Sequence, residues 1–253
     1  MKKVDLNVDI GEGFPYDEAL LEFATSANIC CGRHAGNWKK TRKTVKLCEQ
    51  KGIRYGMHPG YPSREDMGRG KITALTSTGF RISLATQAKN FRDSFSPKYV
   101  KPHGGFYNDT ALSLKSLEQQ TTLLKQIASE MAPESVYDDR VFTPTARLLT
   151  KILNSTPTLL GLPNTAHEVI ARQAGATFIR EGFADRAYRP DGTLLPRSEP
   201  GAVLEDPEEI KAQVLRLADQ VDSICLHGDT PNCLEFAEMV YKTLIDHGYE
   251  VGY

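Results

Sequence analysis

A lysine and a histidine, Lys101 and His103, stand one residue apart in the chain. Side chains two positions apart in an extended segment point to the same side. Two glycines follow, which allow the backbone to turn sharply and to approach a ligand closely, and Tyr107 and Asn108 then add a phenol and an amide. This pattern is typical of a functional site built at the end of a β-strand.

Further polar side chains follow other predicted strands in the same way. In a parallel α/β barrel the C-terminal ends of all strands face one shared mouth, so these side chains are predicted to lie on a common rim. Four of the six histidines are among them, whereas His167 and His247 fall in predicted helices and are interpreted as structural. The predicted rim comprises Asp9, Glu12, Asn28, His34, His58, Lys101, His103, Glu181, Asp185, Arg186, His227 and Asp229.

Two kinds of chemistry fit this set of side chains. In the first, Asp9 and two of the histidines bind a divalent metal, which would lower the pKa of a bound water to about 7; the spacings are long-range, and no local motif such as H-E-x-x-H is present. In the second, Lys101, Arg186 and glycine-rich backbone bind a carboxylate or a phosphate, while a carboxylate or a histidine acts as the general base. Basic and acidic groups are about equally numerous, which favours a small anionic substrate. The residues themselves leave both alternatives open.

Short β-rich segments alternate with helical ones along the chain, which predicts βα units and a parallel sheet. No G-x-G-x-x-G follows the first strand, and polar groups end nearly every strand. A TIM-like (β/α) barrel, seven-stranded or incomplete, is therefore favoured over an open doubly wound sheet. With no repeat or break in composition, one domain over residues 1–253 is predicted. The predicted strands are residues 3–8, 24–29, 53–57, 99–103, 158–162, 176–181 and 223–226.

Helix starts are indicated by residues that cap helices well or that suit their first turn. These signals are Asn37, Thr143-Pro144, Asp206-Pro207 and Thr230-Pro231. Further helices are predicted over residues 74–91, 110–129 and 164–173, and residues 137–142 are compatible with either an extra strand or a loop.

Composition excludes several classes of protein. The net charge of −1 removes the electrostatic reason to expect nucleic acid or a membrane surface as a partner. No apolar run approaches the roughly 20 residues of a membrane-spanning helix, and the N-terminus lacks the apolar core of a signal peptide, so a cytoplasmic location is expected. The five cysteines form no C-x-x-C pair, which favours buried thiols over a zinc knuckle or disulfides. Residues 68–73 fail the ATP-binding pattern G-x-x-x-x-G-K-[ST], because Ile72 follows the lysine.

A series of motifs, in order along nearly the whole chain, resembles the LamB/YcsF family, the A subunits of prokaryotic-type ATP-dependent 5-oxoprolinases. The matching segments are Asp5-Leu6-Asn7-x-Asp9-x-Gly11-Glu12, Ser26-Ala27-Asn28-Ile29-x-Cys31-Gly32-x-His34-Ala35-Gly36, His58-Pro59-x-Tyr61-Pro62, Gly68-Arg69, Lys101-Pro102-His103-Gly104, Tyr107-Asn108, Glu181-x-Phe183-Ala184-Asp185-Arg186-x-Tyr188 and Ile224-Cys225-x-His227-Gly228-Asp229.

The resemblance implies a fold, an activity and partners. The fold would be a (β/α) barrel of the glycoside hydrolase/deacetylase type. The activity would be the opening of the lactam ring of 5-oxoproline (pyroglutamate) to glutamate, coupled to the hydrolysis of ATP with magnesium. Separate B and C subunits would be the partners.

The resemblance and the residues together suggest catalytic roles. Asp9 or Glu12 would act as the general base, and His103 would transfer protons. Lys101 and Arg186 would hold a phosphate or the carboxylate of the substrate. All of these residues belong to the predicted rim.

Other rim residues are expected to bind substrate or metal. His34, His58 and His227 would orient the attacking water or bind a metal. The expected metal ligands are His34, His58 and Asp9, and the expected substrate contacts are Asn28, His34, Tyr107, Glu181, Arg186, His227 and Asp229.

The sequence departs from the family pattern at Arg33 and Asn37, where an aromatic residue and an aspartate are usual. A lost carboxylate and a new cation near the mouth make a related lactam, such as 2-pyrrolidinone, an alternative substrate. A metal-dependent hydrolase or deacetylase that acts without partner subunits is a further alternative. The last alternative is that the chain is a non-catalytic subunit that binds the ligand.

Overall fold

The computed structural model describes residues 1–71, 77–112, 143–230 and 232–253. Its main strands are β1 (Lys3–Ile10), β2 (Ser26–Cys30), β3 (Arg54–His58), β4 (Thr158–Gly161), β5 (Thr177–Phe183) and β6 (Ser223–His227). All run parallel, in the spatial order β3-β2-β1-β6-β5-β4. A short further strand, β7 (Glu250–Val251), which the sequence did not indicate, pairs with β1.

A single residue closes this sheet into a ring. Val100 forms parallel bridges to Met57 of β3 and to Leu159 of β4, supported by a hydrogen bond from the Lys101 N–H to the Met57 carbonyl at 3.0 Å. The fourth predicted strand, 99–103, is therefore only a bridge, because Pro102 has no N–H with which to extend the ladder. The prediction of a TIM-like (β/α) barrel is confirmed, with six described strands and the bridge at Val100 in the ring.

Helices follow the strands along the chain. They are α1 (Asp17–Leu20), α2 (Trp38–Lys51), α3 (Ser77–Ser94), α4 (Gly104–Ala111), α5 (Pro144–Leu153), α6 (Ala166–Gln173), α7 (Pro207–Ala218) and α8 (Cys233–Asp246). None of these described helices combines the length and the apolar character that crossing a membrane requires.

Side-chain caps account for several helix starts, as predicted. Asn37, Thr143 and Asp206 each accept a hydrogen bond from a backbone N–H in the first turn of α2, α5 and α7. Two starts differ from the prediction: α8 begins at Cys233, after Asn232, and α4 begins at Gly104 and not at residue 110. The two glycines after His103 suggested a turn, but here they form the first turn of a helix. The rest of the predicted helix 110–129, its neighbour 137–142 and residues 74–76 lie outside the described residues.

The barrel interior is polar. The even-numbered residues of β1, from 4 to 10, are apolar and belong to a hydrophobic core shared with the surrounding helices. The odd-numbered residues bond to polar side chains of other strands: Asn7 Nδ2 donates to Ser223 Oγ at 2.8 Å, and Asn28 Nδ2 donates to Asn7 Oδ1 at 2.6 Å. These bonds form a column of polar side chains inside the ring, which ends at Asp9 on the C-terminal rim.

His167 is buried in α6 and is fixed as one neutral tautomer. Its Nδ1 accepts the Leu162 N–H at 3.1 Å, so its Nε2 carries the proton and donates to Thr110 Oγ1 at 2.9 Å. Thr110 in turn donates to the Phe106 carbonyl at 2.7 Å. Burial lowers the pKa of His167 to about 3. These contacts support the structural interpretation of this histidine.

We expect His167 to make the fold sensitive to acid. The unfolded chain binds a proton here near the ordinary pKa of about 6.5, but the folded chain does so only at about 3. The contribution of His167 to stability is therefore complete above pH ~6.5 and is lost as the pH falls towards 3, at most by about 1.4 kcal/mol per pH unit. His167→Asn keeps an acceptor but cannot be protonated, so its free energy of unfolding in urea should depend less steeply on pH between 7 and 4. The exposed His247→Asn is the control, and equal slopes for His167→Asn and the wild type would contradict the prediction.

Candidate active site

A cavity of about 660 Å³ opens at the C-terminal ends of the strands. It brings together many of the predicted rim residues, but not all of them reach it. Those that line it are Asp9, His58, Lys101, His103, Arg186 and His227, together with Tyr107, which was predicted as a substrate contact. Those that lie behind the lining are Glu12, Asn28, His34, Glu181, Asp185 and Asp229.

Lys101 is 1% exposed, and its ammonium is fully engaged by other side chains. Its Nζ lies 2.8 Å from Asp9 Oδ1, 2.9 Å from Cys225 Sγ and 3.3 Å from Asn7 Oδ1. It also lies 2.8 Å from Glu181 Oε1, an ion-pair distance without hydrogen-bond geometry. An ammonium has only three N–H groups. In this arrangement Lys101 therefore fixes Asp9 and has no donor to offer a substrate anion.

Burial and pairing act in opposite directions on these charged groups. Burial alone would raise the pKa of Asp9, but His58 and Lys101 hold it well below its ordinary value. Burial alone would lower the pKa of Lys101, but Asp9, Cys225 and Glu181 hold it well above its ordinary value. For Glu181 burial prevails and raises the pKa. Lys101 therefore strengthens the acidity of Asp9 more than that of Glu181.

The two oxygens of Asp9 have different surroundings. Oδ1 accepts hydrogen bonds from Asn28 Nδ2 at 2.7 Å and from Lys101. Oδ2 faces two imidazoles, with His58 Nε2 at 3.4 Å and His227 Nε2 at 3.9 Å. Asn28 therefore orients Asp9 from behind, and Oδ2 is the oxygen that is directed at the histidines of the cavity.

His58 and His103 contact each other through two ring nitrogens, neither of which carries a proton when both rings are neutral. His58 Nδ1 donates to the Lys101 carbonyl at 2.8 Å, and His103 Nε2 donates to the Met67 carbonyl at 2.8 Å. The remaining nitrogens, His58 Nε2 and His103 Nδ1, lie 2.9 Å apart. Both would be lone pairs if both rings were neutral. The contact is favourable only when a proton or another cation lies between them.

A carboxylate and a third histidine adjoin this pair. Glu12 Oε1 lies 3.5 Å from His103 Nδ1 and 3.1 Å from His34 Nε2, and the His34 ring stacks on His103 with 3.8 Å between centroids. Although burial opposes it, the neighbouring Cys30 and Glu12 raise the pKa of His34 to about 10. Burial, followed by His34 and His58, holds the pKa of His103 well below its ordinary value.

Donor atoms suited to a metal ion fall into two groups within the described residues. In each group all donor atoms lie within 4.8 Å of one another. The predicted ligands His34 and His58 belong to one group and Asp9 to the other. The groups are Glu12, His34, His58 and His103, and Asp9, Cys225 and His227.

His227 is bonded to the carboxylate of Asp185, a residue to which the sequence analysis gave no functional role. Its Nδ1 lies 2.8 Å from Asp185 Oδ1, so Nδ1–H donates to Asp185 and Nε2 is directed towards Asp9. Burial would raise the pKa of Asp185, but His227 lowers it. A carboxylate that fixes the tautomer of a histidine is a recurring arrangement in general acid–base catalysis. The signal was present in the sequence, because Asp185 follows the end of β5 directly.

Tyr107 forms part of an apolar wall with one polar atom. Its ring packs edge-on against Phe183, with 5.6 Å between centroids, in a small cluster with Leu162 and Cys225. Its hydroxyl is buried beside the Glu181 carboxylate: burial, and then Glu181, raises the pKa of Tyr107 well above its ordinary value. The wall suits a small, largely apolar ring.

Arg186 and Asp229, both predicted to contact substrate, are bonded within the protein. Arg186 donates from Nε to the Ala202 carbonyl at 3.1 Å and from an Nη to the Leu195 carbonyl at 2.5 Å. Asp229 pairs with Arg69 and Arg197. Sequence reasoning assigned no role to these two arginines, since neither directly follows a strand.

We expect the loss of Lys101 to destabilise the fold as well as the site. Lys101→Met removes the only ammonium near Asp9 and Glu181 in the described structure, and breaking a buried ion pair in this way typically costs about 3–5 kcal/mol. Lys89→Met is the matched control, because Lys89 pairs with Asp93 on the surface and such pairs contribute at most about 1 kcal/mol. Chemical denaturation at pH 7 measures both. Equal losses in the two variants would contradict the prediction.

Comparisons with known proteins agree with this architecture. A model of the LamB/YcsF family matches residues 4–137 and 131–252. The 5-oxoprolinase A subunit of Neisseria meningitidis serogroup C is 37% identical over 271 residues, which cover 100% of both chains. That of Pyrococcus furiosus is 33% identical over 272 residues, covering 98% of this chain and 96% of the relative.

A solved structure extends the similarity to the fold. The crystal structure of a lactam utilization protein from Thermus thermophilus is 28% identical, superimposes with a TM-score of 0.73, and is matched over 100% of this chain and 99% of that one. The family match, the full-length relatives and this structure all agree with the motifs of the sequence. The chain belongs to the LamB/YcsF family.

Proposed function

We propose that this chain is the lactam-opening subunit of an ATP-dependent 5-oxoprolinase, which hydrolyses the ring amide of 5-oxoproline to give glutamate. The similarity to full-length relatives named as the A subunit of 5-oxoprolinase supports the substrate. The observation that carries the chemistry is Asp9: one oxygen is fixed by Lys101 and Asn28, and the other faces His58 and His227 at the cavity.

The lactam is an unactivated amide, so a coupled reaction is needed to make ring opening favourable. Transfer of the terminal phosphoryl group of ATP to the amide oxygen would leave ADP and an activated carbon. Water would then add to that carbon, and the ring C–N bond would break with a proton going to nitrogen, which gives an acyl phosphate. A second water would hydrolyse the acyl phosphate to release phosphate and the new carboxylate of glutamate. The sequence has no nucleotide-binding loop of the G-x-x-x-x-G-K-[ST] type, so we assign ATP and its magnesium to partner B and C subunits.

Asp9 is the proposed base for the attacking water. Its position supports this role, because Oδ2 is the oxygen not bound by Lys101 and is directed at the cavity histidines. Its lowered pKa keeps it ionised but makes it a weaker base. Glu12, the alternative base, does not line the cavity. Its contacts with His34 and His103 suit a positioning role instead.

The histidines supply the proton that the leaving nitrogen needs. His227, held by Asp185 through Nδ1, directs Nε2 towards Asp9 and is the proposed donor. The His58–His103 contact at 2.9 Å can hold a shared proton, which gives His103 the proton-transfer role suggested by its position after the strand. Positioned acids and bases of this kind typically contribute 10² to 10⁴ in rate.

The test is glutamate release from 5-oxoproline, with and without ATP, by this chain alone and with candidate partner subunits. We expect release only with ATP and the partners. Asp9→Asn should lower kcat by about 10² or more while the protein still binds 5-oxoproline. Asp191→Asn changes an exposed carboxylate and is the control. A fully active complex containing Asp9→Asn would refute the catalytic role and favour a purely ligand-binding role for this chain.

A metal-dependent variant of the hydrolysis is a second candidate, favoured by the same His58–His103 contact. Two imidazole lone pairs and the Glu12 carboxylate form a donor set that suits zinc and related divalent ions, so the residues fit such a group. His58, His103 and Glu12 would hold the ion, with His34 beside them. A bound divalent ion would supply Lewis-acid polarisation and a more acidic water.

Titration with Zn²⁺ or Co²⁺ distinguishes the two states of the histidine pair. If the pair holds a metal, calorimetry should show one ion per chain, and His103→Gln should weaken binding at least ten-fold. His247→Gln, an exposed histidine, should leave the affinity unchanged. Binding no tighter in the wild type than in His103→Gln would exclude the metal at this group and leave the shared proton.

A further inference from the structure

Four arginines line the cavity, of which Arg189 pairs with Glu199. The other three are Arg69 in the loop after β3, Arg186 after β5, and Arg197. The last two belong to a strap (residues 184–204) that forms an edge of the cavity and is braced by antiparallel bridges between Arg186 and Val203 and between Tyr188 and Leu194. Three positive charges therefore border the same space.

One carboxylate holds two of these arginines. Arg197 donates from both Nη atoms to Asp229, at 2.9 and 3.4 Å, and Arg69 donates to the same carboxylate. Asp229 is only 7% exposed, whereas the side chains of Arg69 and Arg197 are 27% and 19% exposed. Each guanidinium has five N–H groups. Asp229 therefore holds both guanidinium groups, and one further N–H of Arg69 contacts Met67 Sδ at 3.5 Å. Both side chains line the cavity, and each has N–H groups beyond those that these contacts use.

The third arginine has no carboxylate at ion-pair distance among the described residues. Arg186 is held by two backbone carbonyls, which do not neutralise its charge. Burial, and then repulsion from Arg197, lowers its pKa to about 10. Of the guanidinium groups of Arg69, Arg186 and Arg197, the first and the last share one carboxylate, Asp229, and the charge of Arg186 is added to theirs.

The buried lysine of the cavity has no N–H group free for an anion. The three N–H groups of the Lys101 ammonium are donated to Asp9, Asn7 and Cys225. An anionic substituent on a substrate bound near Asp9 would thus find its counter-charge at the arginines. Paired guanidinium forks suit a carboxylate, because they bind both of its oxygens with directed, charge-assisted hydrogen bonds.

We propose that Arg69 and Arg197, held in place by Asp229, bind the carboxylate of an anionic lactam and so select 5-oxoproline over a ring without that group. The proposal deepens the proposed function and rests on it for the identity of the ring. It replaces Lys101 as the anion-binding residue. Arg186 adds charge to this subsite from the base of the strap.

The experiment compares two ligands that differ by the carboxylate, 5-oxoproline and 2-pyrrolidinone, by calorimetry at pH 7. The wild-type chain should bind 5-oxoproline at least ten-fold more tightly than 2-pyrrolidinone. Arg69→Gln and Arg197→Gln should each remove most of that preference, with little change in the affinity for 2-pyrrolidinone. In the assembled enzyme the same variants should raise KM for 5-oxoproline more than they lower kcat.

Arg189→Gln is the matched control, because Arg189 lies on the same strap and lines the same cavity but pairs with Glu199 on the surface. It should retain the wild-type preference. Arg197→Lys keeps the charge without the fork and should give an intermediate preference. It also serves as the measured variant should Arg197→Gln fail to fold.

Several results would overturn the proposal. If the wild-type chain binds 5-oxoproline and 2-pyrrolidinone equally tightly, or binds neither, it has no carboxylate subsite. Equal weakening of both rings in Arg69→Gln and Arg197→Gln would show that the arginines only support the strap. Failure of glutamate release with ATP and partners is a separate result: it would refute the proposed function, while carboxylate-dependent binding would still decide on the arginines.

Discussion

The neutralisation of one buried cation is the constraint on which this structure depends. Lys101 lies inside the barrel at 1% exposure, and an ammonium in such a place is costly unless it is paired and hydrogen-bonded. Its partners come from three other strands: Asn7 and Asp9 from β1, Glu181 from β5, and Cys225 from β6. They surround the ammonium only because the ring is closed at the segment that carries Lys101 itself. The interaction that stabilises the barrel is therefore also the one that fixes Asp9.

As a consequence, the site consists of residues that line the cavity and of residues behind them that orient the lining. The lining, with Asp9 and His227, presents atoms to the cavity, whereas Asn28 and Asp185 bond to those residues from behind and set their orientation. Residues behind the lining act on the reaction only through the residues that they hold. Such support keeps catalytic groups within the narrow geometric limits that catalysis requires. The charged residue types on the rim thus serve two purposes, and contact with the cavity distinguishes them, since lining Lys101 is as buried as Asp185 behind it.

Much of this was predictable from sequence, and the reasons for the remainder are physical. The barrel and its rim follow from alternating segments and from polar residues at strand ends, a relation that depends on the chain direction alone. Which residue reaches the cavity depends instead on pairing across the ring, such as that of Lys101 with Asp9, 92 residues apart. The sequence identifies Lys101 as a cation, but it does not show that all three ammonium N–H groups are bonded to other side chains of the protein. Arg69 stood in a family motif without an assigned role and Arg197 had no signal, because both lie in loops without periodicity and meet only at Asp229.

The contact between His58 and His103 connects the proposed chemistry to the backbone. The outer nitrogens of both rings are committed as donors to the carbonyls of Lys101 and Met67, so the tautomers are imposed by the chain. Two lone pairs at 2.9 Å then require a positive species between them, and a proton and a divalent ion are the two that fit. Glu12 and Asp9 border the pair with negative charge, which favours either species. The fold thus favours a cation between the two imidazoles beside Asp9. The identity of that cation decides whether the lactam ring is opened by proton transfer alone or with the help of a Lewis acid.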